Sequence, residues 1–166
     1  MKRTSLLILA ATGVLMAGCG AVTADKAAGK TAVKIEVPPC VPTNGILPGK
    51  CFSPEVDVVR AAAISDLLVK IANCTPLPYE HDAIIFSNRE GLLPQQPKGY
   101  YREYSLPIPG RRIGDAPQQV LVGTQPFVTG DITSPRGAER LVIGGGRQIF
   151  YTPDHYVHFI ELQIVR

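Results

Sequence analysis

The chain changes character once, at Thr75-Pro76-Leu77-Pro78. On the N-terminal side, Ile64, Leu67, Leu68 and Ile71 recur at the spacing of one helical face. Ser53-Pro54-Glu55 offers a cap, a first-turn proline and an early acid, so the helix is predicted to begin there. Arg60, Asp66 and Lys70 are expected on its solvent side. The prolines then end it, because proline has no N–H to donate and its ring clashes with the preceding turn. On the C-terminal side the pattern becomes short β-type runs at residues 83–86, 100–106, 119–122, 141–143, 148–151 and 156–164. Turn formers such as Pro109-Gly110 and Gly144-Gly145-Gly146 separate them. One helix followed by a strand series predicts an α+β fold, an N-terminal helix packed on an antiparallel β-sheet. Residues 119–123 and 140–144 resemble one another, but so short an apolar pattern is weak ground for a repeat.

At 166 residues the chain holds one domain by default, and its first stretch lies outside that domain. Lys2 and Arg3 precede an apolar run from Leu6 to Met16 that is too short for a comfortable membrane span. Residues 1–18 are therefore expected to be an export signal peptide. Leu15-Met16-Ala17-Gly18-Cys19 resembles the lipobox of bacterial lipoproteins, which implies cleavage before Cys19 and a lipid on its sulfur. Val22-Thr23-Ala24 also suits an ordinary signal peptidase, which would release a soluble protein. Residues 19–39 are rich in Ala, Lys, Thr and Val and are expected to be a flexible tether, leaving 40–166 as the domain. The expected location is the outer membrane, by the lipid, or the periplasm, with secretion as the alternative. The formal charge of +3 falls to +1 once Lys2 and Arg3 leave with the leader. A nearly neutral domain argues against a broad basic face for gripping long nucleic acid, so any phosphate binding has to be local.

Of the 4 cysteines, a lipidated Cys19 leaves Cys40, Cys51 and Cys74. That is an odd number in an oxidising compartment, so one pair and one leftover thiol are expected. An unbroken helix over residues 54–73 would separate Cys51 from Cys74 by roughly 30 Å. A disulfide needs Cα atoms within about 7 Å. Cys40–Cys51 is therefore the favoured pairing, with Cys40–Cys74 second. The cysteines lack the paired spacing of a metal site, and no metal is predicted.

The polar segments of the second half are ordinary when taken singly. Asn88-Arg89-Glu90-Gly91 reads as a turn, Glu103 as an outward strand position, Arg136 and Arg140 as surface charges, and His155 as a structural histidine. Their order is not ordinary. Pro78-Tyr79-x-x-Asp82 leads into Phe86, then Asn88-Arg89-Glu90, Leu93-Pro94 and Gly99-Tyr100-Tyr101-x-Glu103-Tyr104. Arg136-Gly137-x-x-Arg140 and Tyr151-Thr152-x-Asp154-His155-Tyr156 complete the series. Together these resemble the microbial guanyl-specific ribonucleases, the family of barnase, over roughly residues 64–165.

The resemblance implies that fold and a cofactor-free endoribonuclease acting on single-stranded RNA after guanosine. By the family pattern Glu103 is the base that takes the 2′-hydroxyl proton and His155 the acid that protonates the departing 5′-oxygen. A 2′,3′-cyclic phosphate follows. Arg136 and Arg140 match the paired arginines that stabilise the phosphoryl charge with planar, permanently charged donors. Glu90 matches the carboxylate that accepts from guanine N1–H and its exocyclic amine. Backbone N–H groups around Asn88 and Arg89 would meet guanine O6, Ser87 contributes backbone contact, and Phe86 and Tyr156 supply apolar walls. The family places its arginines sooner after the glutamate strand. Residues from about 111 to 135 are therefore read as an insertion that could extend the sheet, cover the cleft or bind a partner. The alternative reading is a catalytically weak or inactive guanine-nucleotide or RNA-binding lipoprotein of the same fold, its arginines displaced by that insertion. A monomer is expected, and by analogy a small proteinaceous inhibitor that protects the producing cell.

Overall fold

The computed structural model describes residues 51–165. The leader, the lipid on Cys19, the tether and Cys40 lie outside them. Neither Cys51 nor Cys74 is a free thiol, so neither is the leftover thiol that the odd count implied. Among the described residues no helix is long and apolar enough to cross a membrane.

The fold is α+β. Strand β1 (Cys51–Ser53) leads to helix α1 (Val58–Ala72), and strands β2 (Ile84–Ile85) and β3 (Tyr101–Ser105) follow. A hairpin of β4 (Gln119–Val122) and β5 (Gln125–Val128) comes next, then β6 (Arg140–Gly144), β7 (Gln148–Thr152) and β8 (Ile160–Val165). Six strands form one sheet in the order β1-β8-β7-β6-β3-β2, every pair antiparallel.

The helix begins later than its sequence signal. Residues 51–53 pair with β8, and Val56 forms a bridge with Val122, so this stretch is committed to strand contacts. Asp57 is the cap instead, its carboxylate accepting from Val59 N at 3.1 Å and Arg60 N at 3.0 Å. Ile64, Leu67, Leu68 and Ile71 are buried as the periodicity requires, and Asp66 and Lys70 are exposed. Arg60 departs from expectation and is buried. It lies one turn before Ile64 on the same face, and its charge is matched there. Its Nε and Nη2 donate to the two Glu139 carboxylate oxygens at 2.9 and 2.7 Å. Nη1 reaches Asp57 at 2.8 Å, and the Tyr151 hydroxyl joins by donating to Glu139.

Period-two alternation divides the sheet's residues between two clusters. Tyr104, Leu141, Ile143, Ile149, Tyr151 and Leu162 pack in the core that holds the helix. Tyr101, Val142 and Phe150 build a second cluster with Leu93, against which Phe86, Tyr100, Tyr156 and Phe159 pack. Glu103, next to Tyr104, and Arg140, next to Leu141, therefore belong to the sheet face away from the helix.

Residues 111–135 do not extend the main sheet. Their hairpin is a separate two-stranded sheet, with Val120 and Val122 buried and Leu121 and Val128 exposed. Residues 119–123 and 140–144 are not a structural repeat either: β4 is half exposed in the hairpin, whereas β6 is buried along its length in the main sheet.

Candidate active site

The β3–β6 register sets Ser105 opposite Arg140 and Glu103 opposite Val142. Glu103 and Ser105 are two residues apart on one strand and so share a face. Arg136, in the loop before β6, reaches both. Its Nε donates to Ser105 Oγ at 2.8 Å, and its Nη2 lies 3.6 Å from Glu103 Oε1. Gly137 makes the intervening turn at φ +69°, a conformation that costs glycine little. Arg140 is 2% exposed and folds back on that loop. Its Nη1 donates to the carbonyls of Arg136, Gly137 and Glu139 at 3.1, 2.9 and 2.8 Å. The second arginine thus holds the loop that presents the first. Burial, reinforced by the positive charge of Arg136, lowers the pKa of Arg140, which the Tyr156 hydroxyl beside it partly offsets.

His155 and Tyr156 close the site from the β7–β8 loop. Both are non-glycine residues in the left-handed region, at φ +56° and +76°. Such backbone persists only when its surroundings over-determine it. Here Thr152 Oγ1 accepts from Tyr156 N at 2.8 Å, and Asp154 Oδ1 accepts from His158 N at 2.9 Å. The Tyr156 hydroxyl donates to Glu103 Oε2 at 2.9 Å. Burial first, and then the neighbouring Glu103 carboxylate, push that hydroxyl's pKa up to about 12. Partial desolvation and the positive charges of Arg140 and Arg136 lower the His155 pKa, and Glu103 pulls it back in part. Glu103, Arg136, Arg140, His155 and Tyr156 therefore form one interacting group.

The residue 86–90 loop sits beside it. Asn88 is buried at φ +47°, its amide donating to Leu93 O at 2.7 Å and its Oδ1 accepting from Leu93 N at 2.9 Å. This closes the loop on itself, and Ser87, Arg89 and Glu90 are exposed around it. Phe86 and Tyr156 stack on each other at 5.3 Å, with Phe159 5.6 Å from Phe86. A base held between two rings needs about 7 Å, twice the rise of stacked bases. The aromatic pair is therefore one wall, not two opposing ones.

Ser105 and Phe159 escaped the sequence reading, and Asp82 stood in it only as part of the resemblance. Ser105 orients Arg136, and Asp82 Oδ1 accepts from Ser105 N at 2.7 Å to fix the end of β3. Phe159 completes the aromatic wall. Strand alternation from Glu103 was the available signal for Ser105; Phe159 fell within the β-type run 156–164, but β8 begins only at Ile160, which leaves Phe159 in the loop before it. Among the described residues no group of three or more His, Cys, Asp or Glu side chains could hold a metal ion.

A protein-family model described as ribonuclease matches residues 55–163. The chain is similar to guanyl-specific ribonuclease St of Saccharopolyspora erythraea, 39% identical over 84 residues, covering 51% of this chain and 61% of that protein. It is also similar to guanyl-specific ribonuclease Sa of Kitasatospora aureofaciens, 36% identical over 95 residues, covering 57% of this chain and 77% of that protein. Among solved structures, ribonuclease Sa2 with guanosine-2′-cyclophosphate aligns at 32% identity and a TM-score of 0.43, covering 60% of this chain and 83% of that one.

Proposed function

Because this chain belongs to the ribonuclease family, alongside guanyl-specific members, we propose that it is an exported endoribonuclease that cleaves single-stranded RNA after guanosine without a metal or other cofactor. The observation that carries this reading is the convergence of a carboxylate, two arginines and a histidine: Arg136 lies 3.6 Å from Glu103, and Glu103, Arg136 and Arg140 all act on the charge of His155. Arg136 Nη2 meets Glu103 as an ion pair rather than a hydrogen bond.

Glu103 takes the 2′-hydroxyl proton as that oxygen attacks phosphorus. Charge gathering on the non-bridging oxygens meets Arg136 and Arg140. His155 gives its proton to the leaving 5′-oxygen, so a 2′,3′-cyclic phosphate and a free 5′-hydroxyl result. Water then opens the ring with the two roles reversed, leaving a 3′-phosphate. The Tyr156 hydroxyl orients Glu103 in the free site. Glu90 accepts guanine's two adjacent donors. Export rests on the N-terminal leader, with a lipid on Cys19 as the anchor, and RNA is the partner.

The test is turnover of a GpN dinucleotide in the presence of a chelator, followed for cyclic product. Binding of guanosine monophosphate without cleavage would overturn the reading. Glu90→Gln is expected to lower kcat/KM for GpN by about 10- to 100-fold, because an amide N–H then faces guanine's donors. ApN turnover should fall far less, and equal losses on both would remove Glu90 from base choice.

The pH profile carries a further expectation. The pKa of free His155 lies below its ordinary value, so the alkaline limb of kcat/KM should also fall below the ordinary histidine range. A bound phosphodiester offsets the arginine charges that depress it. The alkaline limb of kcat, which reports the complex, should therefore lie at higher pH than that of kcat/KM. Coincident limbs would separate His155 from the arginine field.

A further inference from the structure

Residues 111–135 touch both halves of the site. Gly130 N donates to Pro153 O at 3.1 Å, just before the His155 loop. A Cβ on Gly130 would lie 3.1 Å from Ala138 Cβ and 3.6 Å from the Asp154 backbone. Ala138 stands between Arg136 and Arg140, so one glycine contacts the arginine segment and the histidine loop together. Close approach is the reason for a glycine here. The hairpin holds this point in place, because Thr129 N donates to Gln118 O at 2.8 Å and Gln118 N donates to Thr129 Oγ1 at 2.9 Å.

A second contact lies one step along. The Phe127 ring meets the His158 ring edge to face at 5.6 Å. His158 Nδ1 pairs with Asp154 Oδ2 at 2.5 Å, and Thr152 Oγ1 lies 3.3 Å from Asp154 Oδ1. The chain of contact runs Phe127, His158, Asp154, Thr152, Tyr156, residues that flank His155 on both sides along the loop. The far end of the hairpin is fixed as well, through Gly123 N to Glu55 O at 2.6 Å and the Val56–Val122 bridge.

We propose that residues 111–135 are a strut that positions His155 against the arginine pair, with Phe127 and Gly130 as its positioning residues. The strut is anchored at the approach to the helix and presses on the loop that carries two consecutive left-handed non-glycine residues, His155 and Tyr156. It explains how that backbone is kept in place.

The turnover arm of the test rests on the proposed ribonuclease reading; the nuclear magnetic resonance arm does not. In the full chain, Phe127→Ala is expected to lower kcat for GpN by about 10- to 100-fold, as a misplaced acid does. KM should change less than about twofold, because the residue 86–90 loop is untouched. The His155 ring pKa should rise toward its ordinary value as the ring leaves Arg140 and Arg136, with Glu103 the opposing neighbour. Phe127→Tyr should restore kcat and the titration, and Leu121→Ser, on the exposed face of the same hairpin, should change neither. A folded Phe127→Ala protein with parental kcat and parental His155 titration would overturn the strut. If Phe127→Ala fails to fold, His158→Ala, whose side chain is 59% exposed, decides by the same two readouts. A parent chain that cleaves no RNA would defeat the ribonuclease reading, and the His155 titration would still judge the strut.

Discussion

His155→Ala is expected to lower kcat for GpN cleavage by about 10²- to 10⁴-fold, the usual contribution of a positioned proton donor. The 5′-oxygen of a nucleoside is a poor leaving group, and without an acid it departs as an alkoxide. A guanosine 3′-phosphodiester whose leaving group is a nitrophenolate needs no such proton. On that substrate His155→Ala should retain most of its parental rate. Glu103→Gln should lose comparable activity on both substrates, since attack by the 2′-hydroxyl needs a base whatever departs. Equal losses for His155→Ala on both substrates would mean that the histidine shapes the site and is not its acid. The Tyr156 hydroxyl sharpens the comparison: it holds Glu103 from the side, so a change at His155 leaves the base in position.

Arg60→Met is expected to have the largest effect on stability, about 3–5 kcal/mol, because it strands the Glu139 carboxylate inside the protein. Arg60 and Glu139 side chains are 6% and 5% exposed, so water cannot take over the lost contacts. With a slope of about 2 kcal/mol per molar urea, the unfolding midpoint should fall by about 2 M. The triple change Arg60→Met, Glu139→Leu, Tyr151→Phe should recover most of that loss. It removes the charge, its partner and the hydroxyl that donates to Glu139, and a well-packed apolar replacement of a buried ion pair is often neutral. A single variant that unfolds within about 0.5 M of the parent would show that the network stabilises little. Glu139 adjoins Arg140, so this ion pair also ties β6 to the helix at the point where the arginine emerges.

The sheet was legible wherever a strand carried its own pattern. The runs at 83–86, 100–106, 119–122, 141–143 and 148–151 overlap β2, β3, β4, β6 and β7, because alternation and turn residues are local signals. β1 and β5 were not legible. β1 exists because residues 51–53 find β8 at the far end of the chain, and β5 contains Pro126, which reads as a strand breaker. The helix start failed for the same reason as β1: a good capping pattern at Ser53 lost to strand pairing, and Asp57 took over.

Sequence alone determined the helix face, the alternation of the sheet and the order in which carboxylate, arginines and histidine occur along the chain. Each of these is written in residues a few positions apart, within reach of one backbone period. The tertiary structure decided the rest. It buried Arg60 by bringing up Glu139 from 79 positions away, and it aimed Arg136 at Glu103 through Ser105. It stacked Phe86 on Tyr156, and it set residues 111–135 beside both halves of the site. These outcomes depend on which distant surfaces meet, and no local period encodes that.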